Sequence, residues 1–144
     1  MKRKTIHFCV ACVILFAVIS IIHYFLIYRT CYLNLQFVNM SGETEIVNKI
    51  KISSAEYKNN TIISEPEEIE QIMHYLNTIP LVKVSTSEYE NSRLNKTQGC
   101  LIQFYNSEEL ELGWISLSGN NYILRSQDLK TFKAKNTIEN YFNW

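Results

Sequence analysis

The sequence predicts an α+β fold: a small antiparallel sheet packed by one main helix and a short C-terminal helix, behind a single N-terminal transmembrane helix. Three observations carry this. Residues 6–28 form a 23-residue, almost unbroken apolar run behind Lys2, Arg3 and Lys4. Ile69, Ile72, Met73 and Leu76 recur at helical spacing behind a cluster of start signals. Residues 100–134 hold four short strand patterns separated by turn residues, the mark of a meander. Two regions follow: 1–31, a basic tip and signal-anchor helix, and 32–144, an extracytoplasmic α+β domain.

The apolar run has only His7, Ser20 and His23 as clearly polar members. At 1.5 Å per residue it forms a helix roughly 34 Å long, enough for a hydrocarbon core of about 30 Å. A soluble domain of this size has no room to enclose a helix that is apolar all round. A cleaved signal peptide needs a shorter apolar core and small residues before the cut, and His23 to Thr30 are mostly bulky. Lipoprotein processing needs a cysteine after small residues. Cys31 follows Tyr28, Arg29 and Thr30, and Cys12 comes too early. The segment is therefore expected to stay as an uncleaved anchor. Three cations precede it and Arg29 alone follows, so the N-terminus is expected in the cytoplasm and the rest outside. Tyr24, Tyr28 and Tyr32 stand where an outer aromatic belt sits.

Composition bounds the remainder. The formal charge of the chain is zero, yet residues 32–144 carry ten Lys and Arg against fourteen acids. That acidic balance speaks against a nucleic-acid partner, which calls for a basic face. About 110 residues make one core. Cys9 and Cys12 form a C-x-x-C inside the apolar run, where they serve as small hydrophobes, since a redox pair needs a solvent-exposed helix N-terminus. Outside remain Cys31 and Cys100. Their pairing is conceivable in an oxidising compartment, but Cys100 lies in an apolar strand pattern and is expected to be buried.

Along the domain, Tyr32 to Val38 alternates Leu33, Leu35 and Phe37 with Asn34 and Gln36, as a half-buried strand does; a frayed continuation of the anchor helix also carries this pattern. Ser41-Gly42-Glu43 breaks it. A second strand is expected from Glu45 to Ser53, with Ile46, Asn48, Ile50 and Ile52 on one side, a turn at Asn59-Asn60, and a short return at Ile62-Ile63. For the main helix, Ser64 and Glu67 read as a capping box and Pro66 falls in the first turn. Glu65, Glu67, Glu68 and Glu70 lie at the positive end of the helix dipole, and Pro80 stops the helix near Asn77. Glu70 is expected on the side away from the apolar stripe. Leu81 to Val84 forms a short strand and Ser85 to Gly99 a long polar loop. The meander comprises Cys100 to Tyr105, Leu110 to Leu117 and Tyr122 to Arg125, and a last strand, Leu129 to Ala134, turns off Gln127-Asp128. Asn136 and Glu139 cap a short terminal helix carrying Ile138, Tyr141 and Phe142.

This order of elements resembles small Gram-positive extracytoplasmic domains of unknown function, including membrane-anchored proteins and lipoproteins of the YhfM-like kind. The resemblance rests on Ile62-Ile63-Ser64-Glu65-Pro66-Glu67-Glu68-Ile69-Glu70-Gln71-Ile72, on Leu101-Ile102-Gln103-Phe104, and on Gly113 to Leu117 followed by Asn121 to Leu124. It spans residues 46–142 and implies no activity. The absence of a lipobox departs from the lipoproteins.

No catalytic, cofactor-binding or metal-ligating residue is expected. The domain holds one His, His74, on a helix flank, and one Asp, Asp128, in a turn, with no marked serine to join them. Glu108, Glu109 and Glu111 cluster at a hairpin and read as a solvated face. The acids of residues 65–70 lack the carbonyl-rich loop of a calcium site, and one outer His with two distant cysteines gives no zinc spacing. Trp114, Tyr105, Phe104 and Tyr122 suit a sugar or peptide platform less well than a core. Three N-x-S/T matches, at Asn39, Asn59 and Asn95, arise readily in a chain with fourteen Asn. Three function classes remain. The first is a non-catalytic binding or sensing module at the outer membrane face, with an envelope or membrane protein as partner. The second is an interaction or immunity-type accessory that uses the anchor as its contact, although Ala11 and Ala17 lack the small-xxx-small spacing of a close helix pair. The third is a hydrolase.

Overall fold

The structure is a computed structural model, and it describes residues 2–54, 60–94, 99–119, 121–135 and 138. It contains α1 (Lys2–Tyr28), β1 (Phe37–Val38), β2 (Thr44–Glu45), β3 (Lys49–Ser54), β4 (Asn60–Ile63), α2 (Pro66–Thr78), β5 (Leu81–Lys83), α3 (Thr86–Leu94), β6 (Gly99–Tyr105), β7 (Glu111–Ser118), β8 (Tyr122–Arg125) and β9 (Thr131–Ala134). β1 and β2 form a small hairpin. The other seven strands make one antiparallel sheet in the order β4-β3-β6-β7-β8-β9-β5. The α+β class and the meander β6 to β9 stand as the strand patterns indicated.

Alternation along each strand assigns the two faces of the sheet. One face presents Ile50, Ile52, Cys100, Ile102, Phe104, Ile115, Leu117, Ile123 and Phe132, all buried. α2 covers it with Ile69, Ile72 and Leu76, Met73 being half-buried beside them. The segment before β1 completes the cover. Leu33, Leu35 and Phe37 are buried while the residues between them are exposed, the alternation expected of a strand. Most of this segment pairs with no strand. Cys31 alone bridges Leu81, and the Leu35 amide donates to Asn77 Oδ1 at 2.6 Å, at the end of α2. It therefore lies across the core as a strap. Phe37 packs on Phe104 with ring centroids 5.2 Å apart and sits over Gly113, where an added Cβ would stand 2.9 Å from its ring. Only glycine fits that crossing.

Several expectations are corrected. The stretch 45–53 is not one strand: β2 ends at Glu45, residues 46–48 belong to no strand, and Ile46 is left exposed while Ile50 and Ile52 enter the core. The reason is the hairpin of Asn39, whose side-chain oxygen accepts from the Ser41 and Glu43 amides and so commits β2 to β1. At α2 the N-cap is Glu65, with no side-chain bond, and Pro66 takes the first position; the Ser64–Glu67 capping box does not form. Pro66 offers no N–H, so a cap there has less to satisfy. The S-x-x-E pattern operates instead at Ser85, whose Oγ accepts from the Glu88 amide at 3.2 Å and starts α3. Thus much of the expected loop 85–99 is helix. α3 covers the second face of the sheet over β7, β8 and β9. Tyr89 is buried there and donates to Ser116 Oγ at 3.1 Å, and Ser92 donates to Ser118 Oγ at 3.3 Å. The domain has two packing helices rather than one main helix. The Asn59 turn and the helix from Asn136 lie outside the described residues, except that Ile138 is buried and Asn60 begins β4.

α1 runs from Lys2 rather than Ile6 and meets the sheet at its β5 edge. Lys135 donates to Thr30 Oγ1 at the junction. Among the described residues no helix is long and apolar enough to cross a membrane; within α1 the described side chains are those of residues 10–26, fewer than the apolar run of the sequence.

Candidate functional site

The described residues line a groove of about 370 Å³ between the β1–β2 hairpin, residues 46–48 and the first half of α2. Leu35, Phe37 and Ile69, all buried, form its floor, and Val47 and Met73 its half-buried walls. Helical geometry brings Pro66, Ile69, Glu70 and Met73 to one side, spaced i, i+3, i+4 and i+7. Glu70 therefore does not face away from the apolar stripe, as expected from the sequence, but borders it at the rim. Glu45 and Ile46, the latter 73 % exposed, line the groove as well.

The electrostatics of the groove are one-signed. Glu45 and Glu70 line it, and among the described residues no Lys, Arg or His does. Among the described residues neither carboxylate has a cationic partner; Glu45 accepts only from the Asn106 amide, at 3.5 Å. Lys49, the nearest cation along β3, is already paired with Glu109 and lies 5.0 Å over the Tyr105 ring. Glu65, Glu67 and Glu68 extend the negative rim around the start of α2. The groove is thus an apolar slot with an uncompensated acidic edge. Among the described residues, no hydrogen bond joins the Thr44 or Ser64 hydroxyl to either carboxylate of the groove.

Asp128, Glu109 and Glu111 each have a partner within the domain. Asp128 accepts from Arg125 Nη2 at 2.7 Å and Nε at 3.1 Å and from Lys130 at 2.6 Å, closing the turn between β8 and β9. The Arg125 guanidinium, then Lys130, holds the Asp128 carboxyl well below its ordinary range. Arg125 also donates to the Leu33 carbonyl, so this ion pair fixes the strap. His74 is exposed on α2, away from Asp128's turn. Glu109 pairs with Lys49, and Glu111 accepts from Gln103 at 2.7 Å. Among the described residues no group of His, Cys, Asp and Glu is arranged to hold a metal ion. Cys31 and Cys100 carry free thiols, and burial pushes the Cys100 thiol up to about 12. Of the aromatics, Phe104 is core, whereas Tyr105, Trp114 and Tyr122 are half-buried on the other face; Tyr122 donates to Glu88 and lies beneath Lys133.

The sequence did not single out the groove. Its one legible signal was Ile46, an apolar residue beside Glu45 whose burial rested on the register of a strand that the hairpin interrupts. No protein-family model matches the chain, and no curated protein or solved structure shows significant similarity to it.

Proposed function

We propose that the chain is a membrane-anchored, non-catalytic binding module: α1 crosses the membrane with Lys2, Arg3 and Lys4 on the cytoplasmic side, and the domain from residue 32 is held at the outer face. The observation that carries this reading is the exposure of α1. Val13, Phe16 and Leu26 are 68, 72 and 71 % exposed, and Leu15, Ile21 and Phe25 are similarly bare, on every side of the helix. Removing a side chain of that size from water is worth about 1.5–3 kcal/mol, and the domain covers almost none of it. A helix of 27 residues, roughly 40 Å long, finds that cover in lipid. A binding role is supported by the groove, which offers an apolar floor bordered by carboxylates. Protease added to intact cells tests the topology: the domain should be digested and the N-terminal segment protected, with the chain retained in membranes after an alkaline carbonate wash. A protected domain, or a chain released by the wash, overturns the assignment.

A further inference from the structure

We propose that the groove between α2 and the β1–β2 hairpin binds a cationic polypeptide segment that carries apolar side chains between its Lys or Arg residues. The inference names the partner class of the binding module above and rests on that reading. Three features point to this occupant. The floor of Leu35, Phe37 and Ile69, with exposed Ile46 at the lip, offers apolar surface of a size that takes a few side chains. The carboxylates of Glu45 and Glu70 both line the groove, and among the described residues no cation is paired to either. Among the described residues the side chains of Gln36 and Asn48, which also line the groove, hold no hydrogen bond within the chain and are free to meet a peptide backbone. Complementarity of sign then selects the ligand: a domain with ten cations against fourteen acids repels anionic segments and speeds the encounter with basic ones.

Glu70 separates this reading from ordinary helix capping. Glu67 and Glu68 lie in the first turn of α2, where the helix dipole accounts for them. Glu70 lies beyond that turn and shares the groove side with Ile69 and Met73, so the dipole does not explain it.

The test uses the full chain in neutral-detergent micelles and two fluorescein-labelled hexapeptides, one alternating Lys with Leu and one alternating Glu with Leu. Fluorescence anisotropy should show binding of the Lys peptide, weakened by salt, and at least about tenfold weaker binding of the Glu peptide. Glu45→Gln with Glu70→Gln should weaken the Lys peptide about tenfold or more. Glu88→Gln with Glu90→Gln, the same change of charge on α3 across the sheet, should leave it within about twofold. Ile46→Ser should weaken it as well, the residue being too exposed for its loss to unfold the domain. Equal binding of both peptides, equal loss in the two Glu pairs, or binding by empty micelles only overturns the proposal. Binding in micelles does not depend on which side of a membrane the domain occupies. A wrong topology and a wrong ligand are therefore read by different experiments.

Discussion

Replacing Tyr89 by Ala probes whether the second face of the sheet has a core of its own. Tyr89 is 1 % exposed, one of the largest fully buried side chains described, and its hydroxyl donates to Ser116 Oγ at 3.1 Å from a helix that leans on β7, β8 and β9. Truncating a large buried aromatic costs about 3–5 kcal/mol, whereas an exposed loop residue changes stability by under about 0.5. Tyr89→Phe keeps the ring and deletes only the hydrogen bond, a loss of about 1 kcal/mol. Against a total of about 5–15 kcal/mol for a domain of this size, the Ala variant is severe and the Phe variant mild. With a urea slope of about 1.5 kcal/mol per molar, the midpoint should fall by roughly 2–3 M for Ala and by less than about 1 M for Phe. Tryptophan fluorescence of the full chain in micelles under urea reads both. A Tyr89→Ala protein that unfolds at the parent's midpoint means that α3 does not pack, and with it the two-sided architecture fails.

Two further expectations concern ionisation. Hydrogen bonds from Arg125, then from Lys130, hold the Asp128 carboxyl below its ordinary range, so the stability it contributes is present above an unfolded value of about 3.9 and is lost as pH falls through the folded one. The stability gap between the parent and Asp128→Asn, no more than about 1 kcal/mol for so accessible a pair, should shrink between about pH 5 and pH 2 under urea titration, and a gap independent of pH refutes the linkage. Burial raises the Cys100 thiol to about 12, so iodoacetamide at pH 8 should modify Cys100 only after unfolding. Mass spectrometry of native and urea-treated protein decides this, and rapid native labelling of Cys100 contradicts its place in the sheet.

The sequence alone determined whatever depends on neighbours a few residues away. The period-two strands of the meander follow because alternation must present one side to a core; the helix of Ile69, Ile72 and Leu76 follows from its period and from Pro66; the alternation of Leu33, Leu35 and Phe37 pointed inward on the strand reading of that segment. Tertiary structure decided what depends on which partners meet. Cys31 to Gln36 could be read as a strand, yet that segment became a strap because Asn77 and Arg125, far along the chain, take its backbone groups. The polar residues of α3 concealed a helix whose stability comes from one aromatic ring entering the sheet. The S-x-x-E pattern occurs at both Ser64 and Ser85, and only the path of the chain selects which serine caps. The groove was illegible for the same reason: its floor, lip and acidic rim come from segments that sequence separates, and only the folded chain brings Glu45 and Ile46 to the same groove as Glu70.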